Sequence, residues 1–113
     1  MNAGSKKKSS VFWLCIALVI CLISSIGASL VQTNFGKVEV RDLRWETDSG
    51  HYMSALLFVP ENATEENPAP AIICSHGWYN NREMQDLNYV EYARRGFVVR
   101  SIDMYGHGKS DNL

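Results

Sequence analysis

The chain has 113 residues, enough for one small domain, and its apolar content of 46% is ordinary but unevenly placed. Net charge is −1; Lys6, Lys7 and Lys8 carry three of the 11 basic residues, so the part after residue 10 holds 8 basic against 12 acidic, about −4. No basic stripe crosses that part, which argues against nucleic-acid binding. The three cysteines have neither metal-ligand spacing nor a disulfide framework.

The three lysines precede an uncharged run from Val11 to Val31, long enough for the roughly 20 residues a membrane-crossing helix needs. Residues 1–10 read as a cytoplasmic basic leader and residues 11–32 as a single-pass signal-anchor, with the remainder extracytoplasmic. A cleaved signal peptide stays open, which would make the product secreted. Its most apolar part, Val11 to Ile23, is short, and small residues follow at Ser25, Gly27, Ala28 and Ser29. A buried helix of a soluble core is the third reading.

Residues 33–113 carry α/β signals. Lys37 to Trp45 alternates apolar and polar residues, a half-buried strand. Asp48-Ser49-Gly50 reads as a turn and His51 to Val59 as a second strand, together a hairpin that Pro60 ends. Glu61 to Pro70 is a loop; its Asn62-Ala63-Thr64 sequon reads as a chance match. Ala69 to Cys74 suits a central strand buried on both faces. Arg82 to Arg95 is a helix capped by Asn80 or Asn81, with an apolar stripe of Met84, Leu87, Val90 and Ala93. Arg94-Arg95-Gly96 forms its exit. Phe97 to Ile102 is a further strand, and Gly106 and Gly108 mark a tight loop. Strand, helix and strand in that order predict a βαβ unit with parallel strands.

Two motifs follow the buried strands: Ser75-His76-Gly77-Trp78 after the first, and Asp103-x-x-Gly106-His107-Gly108-x-Ser110 after the second. On these motifs, residues 36–113 resemble the α/β-hydrolase superfamily, most nearly membrane-attached or secreted bacterial serine hydrolases of the esterase and peptidase type. The resemblance implies an oxyanion-hole loop, with the backbone N–H of Trp78 as one donor to the developing negative charge. It implies that Gly77 lets the chain pass close to substrate, that His76 braces the loop and is not the catalytic base, and that Trp78 and Tyr79 line the substrate pocket. Asp103, Gly106, His107, Gly108 and Ser110 then form a supporting loop, with Asp103 accepting from backbone N–H groups and Ser110 capping a following helix.

No catalytic residue is assigned within the chain. No Gly-x-Ser-x-Gly elbow occurs, and neighbouring Ser75 and His76 on an extended segment point to opposite faces. The superfamily's nucleophile, acid and base, in that order, follow the segment present here. Its third strand pairs with the nucleophile-bearing fifth, so the Ala71-to-Cys74 edge is expected to be bare and the fold incomplete. No metal or cofactor is implied. The expected partners are the membrane, through the N-terminal helix, and a small ester or peptide substrate of the full-length enzyme. The chain therefore reads as an N-terminal part of a serine hydrolase, inactive alone. The alternative is a non-catalytic membrane-tethered α/β module.

Overall fold

The computed structural model describes the backbone of residues 3–113 and the side chains from residue 8 onward. Lys6 and Lys7 of the basic leader lie outside the described side chains. The chain divides into two units, one ending at Gln32 and the other spanning Thr33–Leu113.

The first unit is a single helix, α1 (Ala3–Gln32), interrupted by no proline. Its segment Lys8–Gln32 is 25 residues long with a peak mean hydropathy of 2.6. At 1.5 Å per residue that segment is about 37 Å long, more than the roughly 30 Å of a hydrocarbon core. Length and composition suit a signal sequence or an anchor.

The second unit is a four-stranded mixed sheet with one helix. In chain order it runs β1 (Val38–Glu46), β2 (Tyr52–Pro60), β3 (Ala71–Ser75), a 3-10 turn (Arg82–Gln85), α2 (Asp86–Arg94) and β4 (Val98–Ile102). The order in space is β1-β2-β4-β3. β1 and β2 form the expected antiparallel hairpin, Val38 opposite Pro60 and Glu46 opposite Tyr52. Its turn closes with Gly50 N–H on the Thr47 carbonyl, and Gly50 takes φ +80°, where a side chain would be strained. β3 and β4 are parallel and joined through α2, the expected βαβ unit.

Register fixes what each face carries. Val38, Phe58, Val99, Ile72 and Cys74 share the face that α2 covers, and they pack there with Tyr89 and Ala93. Phe58 and Tyr89 stack at 4.4 Å. The opposite face carries Trp45, Leu57, Arg100 and Ile73, with the Arg100 guanidinium 4.0 Å from the centre of the Trp45 ring.

Two expectations need correction. β3 is not buried on both faces: Ile73 is 69% exposed. Within Thr33–Leu113, α2 covers the sheet on the Cys74 side. The outer edge of β3 has no strand beside it among the described residues. The apolar stripe of the helix is also different. Met84 and Leu87 are exposed, and Tyr89 and Ala93 are buried. The segment opens as a 3-10 turn with about 3.0 residues per turn, so a 3.6-residue stripe counted from Met84 starts out of phase. Asn81 is the N-cap, its side chain accepting from Glu83 N–H at 3.0 Å. Gly96, at φ +91°, closes the helix exit, and Asn62 Nδ2 donates to its carbonyl at 3.1 Å.

Candidate active site

Parallel strands β3 and β4 end side by side, Ser75 opposite Ile102, so both motifs leave the sheet at the same edge. In α/β sheets this carboxyl edge is where ligands bind. The two loops enclose an open cleft of about 470 Å³ lined by Trp78, Tyr79, Asn80, Asn81, Gly106, His107 and Gly108.

Asp103, fully buried, organises the loop after β4. Its carboxylate accepts from Ser54 Oγ at 2.6 Å, Arg82 N–H at 2.8 Å and Lys109 N–H at 3.0 Å. Burial by itself would raise this carboxyl. The Lys109, Ser54 and Arg82 donors outweigh it, and the group lies below the ordinary carboxylate range. Gly108 takes φ +54°, and a Cβ there would overlap the Asp103 carboxylate, so glycine is required twice over. Gly106, at φ +75°, turns the chain beside Asn112. Ser110 ties this loop to its surroundings. Its hydroxyl donates to the Asp103 carbonyl at 2.8 Å and accepts from Ser54 N–H at 2.9 Å, which stitches the loop to β2.

Arg82 was not singled out by sequence reasoning, and it lies at the centre of this network. It is 2% exposed. Its guanidinium grips the Asp42 carboxylate through both terminal nitrogens at 2.7 and 3.1 Å and also donates to the Ala55 carbonyl. Its own carbonyl accepts from Ser101 Oγ at 2.6 Å. The Arg82 bond pulls the Asp42 carboxyl down to about 2, with Lys109 Nζ assisting at 3.3 Å. The only sequence signal was an arginine directly after the capping Asn81.

The loop after β3 is supported by imidazoles. His76 is buried; its Nε2 accepts from Met104 N–H at 3.0 Å, which leaves Nδ1–H to donate to the Gly77 carbonyl at 2.8 Å. Asn80 N–H donates to the same carbonyl at 3.1 Å. A trans peptide sets its N–H opposite its C=O. Fixing the Gly77 carbonyl therefore fixes the direction of Trp78 N–H, which has no acceptor among the described residues. Gly77 itself has an ordinary φ, and a Cβ there would sit 3.6 Å from Asn80 Nδ2, a normal contact. The fold does not require this glycine. Trp78 and Tyr79 project outward, 80% and 92% exposed.

Ser75, His76 and Asp103 form no triad. Both ring nitrogens of His76 are engaged with backbone groups, and Asp103 is taken up by Ser54, Arg82 and Lys109. Cys74 is buried, and that burial pushes its thiol up, away from nucleophilic use.

Comparison with known proteins agrees with this architecture. Solved structures similar in fold include a thioesterase domain from the curacin biosynthetic pathway (21% identity, TM-score 0.54, covering 66% of this chain and 24% of that one). A hypothetical protein from Pseudomonas aeruginosa matches at 28% identity and TM-score 0.59, over 68% of this chain and 24% of that one. Acetyl xylan esterase 1 from Thermoanaerobacterium sp. matches at 25% identity and TM-score 0.56, over 68% and 23%. The chain thus spans about a quarter of the length of these structures. No curated protein matches it. The sequence signature of the acetyl xylan esterase (AXE1) family matches residues 24–113, four-fifths of the chain, and the protein belongs to that family of α/β-hydrolases, of whose fold it spans a part.

Proposed function

We propose that this chain supplies the oxyanion-hole loop of a serine-type esterase acting on acetyl or similarly small esters, with Trp78 N–H as one donor. The observation that carries the reading is the peptide between Gly77 and Trp78. Its carbonyl is tied back by His76 and Asn80, and its N–H has no acceptor among the described residues and lies beside an open cleft. An N–H held in that way needs no reorganisation when negative charge develops on an ester carbonyl, and one such donor is worth about 3–4 kcal/mol of barrier. The family match favours esters over peptides. Nucleophile, acid and base belong to the part of the fold outside the quarter described here. The helix α1 would carry the enzyme to or across a membrane as signal or anchor, leaving residues 33–113 on the outer side.

Removal of the donor itself is the test. In the full-length enzyme, Trp78→Pro deletes the N–H and Trp78→Ala keeps it. With p-nitrophenyl acetate, kcat should fall about 10²–10³-fold for the proline variant. The alanine variant should stay within about tenfold of the parent. Equal losses in two folded variants would remove the backbone-donor assignment.

A further inference from the structure

His107 has an unusual set of partners. Its Nε2 lies 2.6 Å from the Trp78 carbonyl and its Nδ1 lies 2.9 Å from the Tyr105 carbonyl. Both partners are acceptors only. A neutral imidazole has one N–H and one lone pair, so it satisfies one carbonyl and repels the other. Only the imidazolium, with two N–H groups, donates to both. The ring also lies 4.7 Å from that of His76, which holds the preceding peptide of the same loop.

We propose that His107 is a positioning residue, a protonated clamp that ties the loop after β4 to the peptide following the oxyanion donor. The Trp78 carbonyl belongs to the peptide whose N–H is that of Tyr79, so the clamp fixes this peptide as His76 fixes the one before it. Consecutive peptide planes, one held by each imidazole, then define the path of the chain through Trp78. The inference rests on the oxyanion reading above for its catalytic consequence, although the clamp itself does not depend on it.

The surroundings favour the charged form. The Tyr105 carbonyl first and the Trp78 carbonyl second push the imidazole above its ordinary range; partial burial opposes them, and the Asp103 charge assists. Of the other titratable groups near it, the His76 ring has both nitrogens engaged with backbone groups. The Lys109 ammonium is turned to Asp42, the Tyr105 hydroxyl donates to Thr47, and Asp111 faces Arg44 at 3.9 Å. Tyr79 carries its phenol outward. The sign follows: a group raised in the folded state holds the clamp at lower pH and releases it as pH rises through its folded pKa.

The experiment is a pH titration of the full-length protein by NMR, reading the imidazole ring nitrogens and the Trp78 and Tyr79 amides. His107 should show the doubly protonated ring signature above the ordinary histidine midpoint of about 6.5. The Tyr79 amide should shift with the same midpoint, and His107→Gln should abolish that step. A His107 ring that titrates at or below the ordinary midpoint, or a Tyr79 amide that stays flat across it, overturns the clamp. The pH profile of kcat gives a second, independent reading. An alkaline loss of kcat should follow the His107 midpoint in the parent and be missing in His107→Gln; an unchanged alkaline limb in the variant overturns the catalytic consequence. If Trp78→Pro leaves kcat intact while the Tyr79 amide still follows His107, the oxyanion reading has failed and the clamp stands. A flat Tyr79 amide with an inactive proline variant is the reverse case.

Discussion

The two loops at the carboxyl edge of the sheet are held in opposite ways. The loop after β4 is anchored from inside, by one buried carboxylate that gathers donors from β2, from the 3-10 turn and from its own far end. The loop after β3 contributes few anchors of its own. It depends on His76 reaching Met104 and on His107 reaching back to Trp78. The difference separates a platform from the part that, under the proposed function, works on substrate. A hydrogen-bonded, buried carboxylate makes a rigid base, and the residues that would meet substrate, Trp78 and Tyr79, stay exposed above it.

Substitutions should grade along that contrast. The largest effect is expected from Asp103→Ala. It strips the acceptor from Arg82 N–H, Lys109 N–H and Ser54 Oγ, and leaves the buried Arg82 guanidinium with less opposing charge. Loss of one partner from a buried charged network costs about 3–5 kcal/mol, readable by denaturant unfolding of the full-length protein. A loss under about 1 kcal/mol would mean that the carboxylate is no organiser. Gly108→Ala comes next, at about 3 kcal/mol: overlap with Asp103 contributes ~1–3 and the left-handed backbone ~1–2.

Acid should act on the platform in a smaller way, through Asp42. Its folded value of about 2 lies below its ordinary value of 3.8, so it stabilises the fold above the ordinary value. That contribution is lost as pH falls from about 4 to about 2. Asp42 is more than half exposed, so solvent screens its pair with Arg82 and the loss is modest. Asp42→Asn should flatten the stability profile in that window; an unchanged profile would move the acid sensitivity to other lowered carboxyls, Asp103 among them. The smallest effect on stability belongs to Gly77→Ala, within about 0.5 kcal/mol, because its Cβ meets only an ordinary contact. A glycine dispensable for folding at Gly77 and one indispensable at Gly108 would mark the boundary between working part and platform.

The sequence displayed the strands and the βαβ order well, because hydrophobic period and turn chemistry are local. The hairpin around Gly50, the Asn81 cap and the Gly96 exit were all legible in that way. The stripe through Met84 and Leu87 was misread because a four-residue 3-10 turn changes the helical phase without changing the residue types. Arg82 was invisible for another reason. Its carboxylate partner Asp42 lies 40 residues away on β1, and nothing near either residue announces the pairing. Of the site, the loop residues were recognisable from their motifs; the division of labour between His76 and His107 required coordinates.

The seams that fasten the platform join distant parts of the chain. Ser54 meets Asp103 across 49 residues, Ser110 across 56, and Asp42 meets Lys109 across 67. Closing loops of that length costs chain entropy before any of these bonds forms, and none of them assists the earliest collapse. The hairpin and the β3–α2–β4 unit rest on nearer contacts and are suited to form first. Those long seams are expected to close late in folding, and truncating Ser54, whose hydroxyl bridges 49 residues to Asp103, should give a low φ-value, speeding unfolding more than it slows folding.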